Sequence, residues 1–263
     1  MVNLNDNYTD FAENDYLTVG IISVIGDRKE QQDRIGYEIS DSECAVVVCD
    51  GMGGHQGGKL ASSLATENFI NSYKKFTHEE SVQNFLINTV TALDENIASL
   101  KNKNNEPMKA GSTLAGIIIE KNNLSWVSVG DSRIYAFRNG EIVQITKDHN
   151  YNMILEARKE QFTDAEYREE LNKSGMLVSF LGINGLPFIE NNEEPFNLFK
   201  DDIILITSDG LYKILTEKEI CKVLQKNDDI RDLPEDILLA IKTKNTIKKI
   251  DKDNISIAII KVK

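Results

Sequence analysis

A chain of 263 residues that is 41% hydrophobic and 27% charged has the composition of a globular protein, with length for one large domain or two small ones. Its formal net charge of −12, from 30 Lys and Arg against 42 Asp and Glu, argues against nucleic acid or an acidic membrane as partner, because both attract clustered basic residues. The longest strictly apolar run, Cys44 to Cys49, is far short of the ~20 residues that span a bilayer. No membrane segment is therefore expected, and Met1-Val-Asn-Leu-Asn-Asp has neither the basic start nor the apolar stretch of a secretory signal.

Residues 1–16 are polar and acidic and read as a loosely held tail ahead of one domain spanning 17–263. β-rich apolar runs follow at 17–25, 34–39 and 45–49. Two helical patterns come next. Residues 58–74 align Leu60, Ala61, Leu64, Ala65 and Phe69, and 81–100 align Val82, Phe85, Leu86, Val90, Leu93, Ile97 and Leu100, each set on one face of a 3.6-residue period. Strands resume at 113–119, 124–129, 133–137 and 142–145, with Asn122-Asn123 and Asn139-Gly140 as hairpin turns that tolerate positive φ. Residues 150–178, crowded with Glu, Arg and Asp, read as a charged helical flap. A strand at 203–207, a capping box at Thr216-Glu-Lys-Glu219, a helix-start proline at Pro234 and a last strand at 255–262 complete the chain. Short hairpins mean antiparallel pairing, and one-sided helices need a sheet to cover. The expected class is α+β: two antiparallel sheets packed together, flanked by helices. The odd set Cys44, Cys49 and Cys221 matches neither a zinc site nor a CxxC pair, and points to a reducing cytoplasm.

Aspartates sit where these strands begin or end: Asp33, Asp50, Asp131, Asp209 and Asp253. If successive strands alternate in direction, all five reach one rim, the pairing of the last two strands being taken as antiparallel. Five carboxylates in one place repel one another unless a cation sits among them. Oxygen ligands favour a hard divalent ion, Mg²⁺ or Mn²⁺. For any one of them alone, a simple Asp-Gly turn is the plainer explanation.

Gly26-Asp-Arg28-Lys-Glu-Gln-Gln-Asp33, Asp50-Gly-Met-Gly-Gly-His55, Gly111-Ser-Thr113, Gly130-Asp-Ser-Arg133, Ser208-Asp-Gly-Leu211 and Asp253-Asn254 resemble, in order, the motifs of the PPM, or type 2C, metal-dependent serine/threonine protein phosphatases, above all their bacterial branch. The resemblance implies an α/β/β/α sandwich with a small flap subdomain. It also implies hydrolysis of phosphoserine and phosphothreonine in proteins by a water held between two Mn²⁺ or Mg²⁺ ions and attacking phosphorus in line. By that resemblance Asp50 bridges the two metals, the Gly51 carbonyl completes one, Asp209 and Asp253 bind the second, Asp33 holds metal-bound waters and Arg28 grips the substrate phosphate. Asp131 corresponds to a position serving a third, weaker metal. The implied partners are phosphoproteins and a cognate Ser/Thr kinase, for a cytoplasmic monomer. The chain departs from the pattern at Gln32, where Glu is usual; at Lys213, where many members carry Asp; and at Met52, in place of a proton-donating His of the eukaryotic branch. His55 is read as structural, His149 as a turn or packing residue and His78 as solvent-exposed.

Rival readings are weaker. Gly53 to Lys59 fits G-x-x-x-x-G-K, but Leu60 stands where a Mg²⁺-binding Ser or Thr is needed, and hairpins oppose a parallel βαβ unit. Neither Cys44 nor Cys221 has the Arg of a cysteine phosphatase loop, and no G-x-S-x-G elbow occurs. The alternative from another class is a phosphatase-like protein that binds phosphoproteins without hydrolysing them, suggested by Gln32 and Lys213.

Overall fold

The computed structural model of the chain describes residues 2–3, 6–53, 57–226, 229–248 and 253–263. Two sheets face each other. The first has eight strands: β1 (Val2–Asn3), β4 (Asp33–Ile39), β5 (Glu43–Met52), β7 (Leu114–Glu120), β8 (Asn123–Val129) and β11 (Glu190–Asn191) lie side by side, with β6 (Gly111–Ser112) on β5 and β12 (Phe196–Asn197) on β8. The second runs β10 (Glu141–Gln144), β9 (Arg133–Arg138), β13 (Ile203–Thr207), β14 (Ile255–Val262), β3 (Leu17–Val24) and β2 (Tyr8–Glu13). Among the described residues every pairing of these strands is antiparallel, which removes the parallel sheet that a P-loop requires.

The two-residue period of the strands builds three layers of core. In β5, Val46 and Val48 point at the opposite sheet, while Ala45, Val47 and Cys49 point at α1 (Gly57–Tyr73) and α2 (Val82–Ala98). In β14, Ala258 and Ile260 face the same inter-sheet core, and Ile255, Ile257 and Ile259 face α6 (Glu217–Leu224) and α7 (Leu233–Lys248). Both central strands are thus apolar on both faces, which is why they read as unbroken hydrophobic runs. The stripe on α2 is its buried face, with Phe85, Leu86, Val90, Leu93 and Ile97 in the outer core over the first sheet; on α1 Ala61, Ala65 and Phe69 lie in that core, whereas Leu60 is exposed and Leu64 only half-buried. Thr216 and Glu219 form the expected capping box at the start of α6, and Pro234 lies in the first turn of α7. The flap holds α3 (Tyr151–Ala157) and α4 (Asp164–Glu170), and α5 (Asp209–Tyr212) is one turn after β13.

Two local expectations are corrected. Residues 8–13 are not a loose tail: they form edge strand β2, paired along β3. Tyr8 and Ala12 pack on the inter-sheet core, Phe11 packs on the outer one, and the Tyr37 hydroxyl donates to Asp10 Oδ2 at 2.7 Å. The first hairpin turn is Lys121-Asn122, one residue earlier than the Asn pair suggests. Glu120 pairs with Asn123, and Lys121 itself takes a positive φ of 57°. The second hairpin follows the rule, with Asn139 at φ 53° and Gly140 at 82°.

Candidate active site

The strand ends bring the aspartates together. Asp33 opens β4 and is directly opposite Asp50 on β5. Asp131 lies in the turn by which the chain leaves β8 of the first sheet for β9 of the second. Asp209 begins α5 immediately after β13, and Asp253 precedes β14. Because β13 and β14 are antiparallel, these two share an end. A cavity of about 690 Å³ at this rim is lined by Arg28, Asp50, Gly51, Asp131, Asp209 and Asp253, together with Gln32, Met52 and Lys213. Gly175 and Leu177 bring the end of the flap to its edge.

Asp33 does not line the cavity but is buried behind its wall, 1% exposed, where it accepts a 2.6 Å hydrogen bond from Ser208 Oγ. Ser208 Oγ in turn accepts from the Ser256 N–H. The Asp50 backbone is clamped by Thr113, whose Oγ1 accepts from the Asp50 N–H while its own N–H donates to the Asp50 carbonyl, each at 2.9 Å. Asn254 ties the Arg28 loop down, accepting from the Gln32 N–H at 2.8 Å and donating to the carbonyls of Ile25 and Glu30. The buried Arg34 guanidinium donates to the carbonyls of Gln31 and Asp33 from beneath. These supporting residues carry no role in the sequence analysis. Thr113, Ser208 and Asn254 were visible only as members of motifs, and Arg34 only as a strand residue.

The carboxylates are held in a state that calls for positive charge. Burial above all, then the charges of Asp33, Asp209, Asp131 and Asp253, push Asp50 well above the ordinary carboxylate range. Burial likewise pushes Asp33 up to about 7, against the Ser208 hydrogen bond, and Asp131 up to about 6. Asp209 is raised by burial, although Lys213 pulls it back. Its Oδ1 is buried with no hydrogen-bond partner among the described residues, a costly state for a carboxylate oxygen unless a cation completes it. Its Oδ2 accepts from Lys213 Nζ. At the mouth, Arg28 Nη2 donates to Asp253 Oδ2 at 2.6 Å.

Gly51 is packed too tightly for any side chain. A Cβ there would lie 2.1 Å from the Gly58 carbonyl oxygen of α1 and 2.7 Å from that of Gln32. Gly51→Ala is expected to push α1 or the Arg28 loop away from β5, destabilising the protein by about 3 kcal/mol or more and abolishing activity. Thermal melting beside wild type checks this, and an unchanged melting temperature contradicts the close packing.

The remaining sequence candidates separate. His149 is a packing residue: it is buried, its Nδ1 accepts from the Gly130 N–H at 3.2 Å, and burial lowers its pKa. His55 lies outside the described residues. His78 is half-exposed and not bare, its Nδ1 being 3.0 Å from Glu120 Oε1. With Glu43 it forms a set of metal-ligand type whose ligand atoms lie within 4.8 Å of one another. Glu43 opens β5, seven residues before Asp50, so this set is at the far end of the strand, roughly 23 Å away at 3.3 Å per residue, and is no part of the aspartate rim.

Two antiparallel sheets between helices, with a carboxylate-lined cleft where the strands end, define the class of a metal-assisted hydrolase. The profile of the protein phosphatase 2C family matches residues 23–159, and the chain belongs to that family. The serine/threonine phosphatase Stp of Listeria monocytogenes is 27% identical over 237 residues, covering 89% of this chain and 90% of the relative. The solved serine/threonine phosphatase of S. agalactiae superposes with a TM-score of 0.79 at 22% identity, over 94% of this chain and 100% of the other. The catalytic domain of the phosphatase PstP, solved with two manganese ions, gives 0.71 at 24%, over 94% and 98%. These two share the sandwich of sheets and helices found here. No helix among the described residues is long and apolar enough to cross a membrane.

Proposed function

We propose that the chain removes phosphate from serine and threonine side chains of proteins, and that the aspartate rim does so with two divalent ions, Mn²⁺ or Mg²⁺. One observation carries the assignment: carboxylates from separate strand ends converge on one cavity with too few cations to balance them, and Asp209 Oδ1 is left buried and unsatisfied. The oxygen-only donor set suits hard ions. Asp50, the Gly51 carbonyl, Asp209 and Asp253 would hold the pair, and Asp131 adds its negative charge to the same cavity. Bound there, the ions supply Lewis acidity, lowering the pKa of water and neutralising charge on the phosphoryl group.

The chain's own groups do the rest. Asp33, fixed by Ser208 behind the wall, adds its negative charge to the rim beside Asp50. Arg28 is the phosphate fork. It pairs with Asp253 at the cavity mouth, and its planar guanidinium there would grip two phosphate oxygens. Met52 lines the cavity and carries no transferable proton, so the leaving alkoxide takes its proton from solvent. The three cysteines are free thiols, and burial pushes Cys44 and Cys49 up to about 12. The buried thiols and the net charge of −12 fit a cytoplasmic protein acting on the targets of a Ser/Thr kinase, and we read it as a monomer.

Hydrolysis of p-nitrophenyl phosphate and of a phosphothreonine peptide, with Mn²⁺ and with chelator, tests the reading. Turnover should require the metal, and Arg28→Ala should raise the peptide KM about tenfold or more, the loss of one charge-assisted phosphate contact. A folded protein that binds Mn²⁺ and the phosphopeptide without turnover would instead be the non-hydrolysing binder.

A further inference from the structure

The cavity is lined by Lys213 as well as by Arg28. Lys213 follows α5, four residues after Asp209, and its Nζ donates to Asp209 Oδ2. The turn is held in place from several directions. The Lys213 N–H donates to the Asp209 carbonyl at 3.0 Å, the Tyr212 hydroxyl donates to the Asp131 carbonyl at 2.9 Å, and the Arg133 guanidinium lies 3.6 Å over the Tyr212 ring. Arg133 is itself fixed by two hydrogen bonds to Asp148, at 2.9 and 2.7 Å. One turn therefore holds both the Asp131 loop and the ammonium. Asp131 and Asp209 both act on Lys213, raising its pKa against the effect of burial.

The two oxygens of Asp209 have different tasks in this arrangement. Oδ1 is the buried, unpartnered atom, whereas Oδ2 is committed to Lys213. We infer that Lys213 is the resident cation of the Asp131–Asp209 side of the cavity, so that the loaded protein holds two divalent ions and has no place for a third. The inference rests on the ligand assignment proposed above. It is a positioning role: the ammonium fixes the Asp209 carboxylate with Oδ1 free for an ion, and partly balances Asp131. A further dication between Asp131 and Asp209 would have to sit beside a fixed positive charge and displace it from Oδ2, and both requirements oppose binding. Unlike a bound ion, an ammonium on the chain is not removed by chelator, so this side keeps its charge at any metal concentration.

Bound Mn²⁺ is counted by equilibrium dialysis and atomic emission at millimolar free metal. All proteins carry His78→Ala, which removes the distant Glu43–His78–Glu120 set. The expected count is two for Lys213 and for Lys213→Arg, and three for Lys213→Asp. Lys213→Met, which removes charge without adding a ligand, should show a third ion at least tenfold weaker than the first two. Lys213→Met should also lower kcat more than it raises the peptide KM, and Lys213→Arg should restore kcat. A count of three with Lys213 in place overturns the inference, as does a count of two in a folded Lys213→Asp. If Asp50→Asn does not lower the count, the ligand assignment fails and the inference fails with it.

Discussion

Asp50→Asn is expected to lower kcat by about a thousandfold or more, on the order of 4 kcal/mol in the barrier, while leaving the fold intact. Among the described residues the Asp50 carboxylate has no hydrogen-bond partner in the protein. What ties this residue in place is its backbone, through Thr113, Ser112 and the ladder to β4. The side chain instead faces the cavity amid the charges of Asp33, Asp209, Asp131 and Asp253. An amide in its place keeps the shape but removes an anion on which the proposed metal site depends. Without metal, the same change relieves repulsion, so the variant should melt at or above the wild-type temperature in chelator. Loss of turnover together with an equal or higher melting temperature separates a ligand from a structural residue. Wild-type turnover in the variant would remove Asp50 from the site.

The rim was legible because its chemistry is concentrated where periodic patterns stop. An apolar run ending in Asp-Gly or Ser-Asp-Gly marks a strand end and a carboxylate in the same few residues. The antiparallel pairing of β13 with β14, assumed from the sequence, brings Asp209 and Asp253 to the same edge. What the sequence could not give was depth. Asp33 and Asp50 look alike in the chain, yet one lies behind the cavity wall on Ser208 and the other lines the lumen. As cross-strand partners the two share a face of the sheet, so the difference depends on the wall packed over Asp33 and on a partner 175 positions away in the chain. The edge strand β2 was missed because Asp10 and Glu13 each interrupt one of its faces, and Asp10 finds its partners, the Tyr8 and Tyr37 hydroxyls and the Phe11 N–H, only in the folded protein. The turn at Lys121 was displaced because residue type favours Asn at positive φ, whereas the register of β7 on β8 dictates the position.

Metal should stabilise the protein more as pH rises. In the unfolded chain Asp33 ionises near the ordinary value of about 4; in the metal-free fold it holds its proton to about 7, and Asp131 to about 6. Both pKa values are raised on folding. Their contribution is therefore fully present below pH 4 and is lost as pH climbs through 6 and 7, where the folded state must accept mutually repelling anions. For Asp33 this amounts to roughly 4 kcal/mol across the whole range. Divalent ions bind the ionised carboxylates and compete with those same protons. At pH 5 saturating Mn²⁺ should move the melting temperature little, whereas at pH 8 it should raise it by about 10 °C over chelator, as a few kcal/mol does in a chain of this size. Asp50→Asn should flatten the pH dependence, and His78→Ala, at the far end of β5, should leave it unchanged. A metal effect that is equal at pH 5 and pH 8 would place the ions on carboxylates other than the buried ones, and a rim of five aspartates would then need another counter-charge.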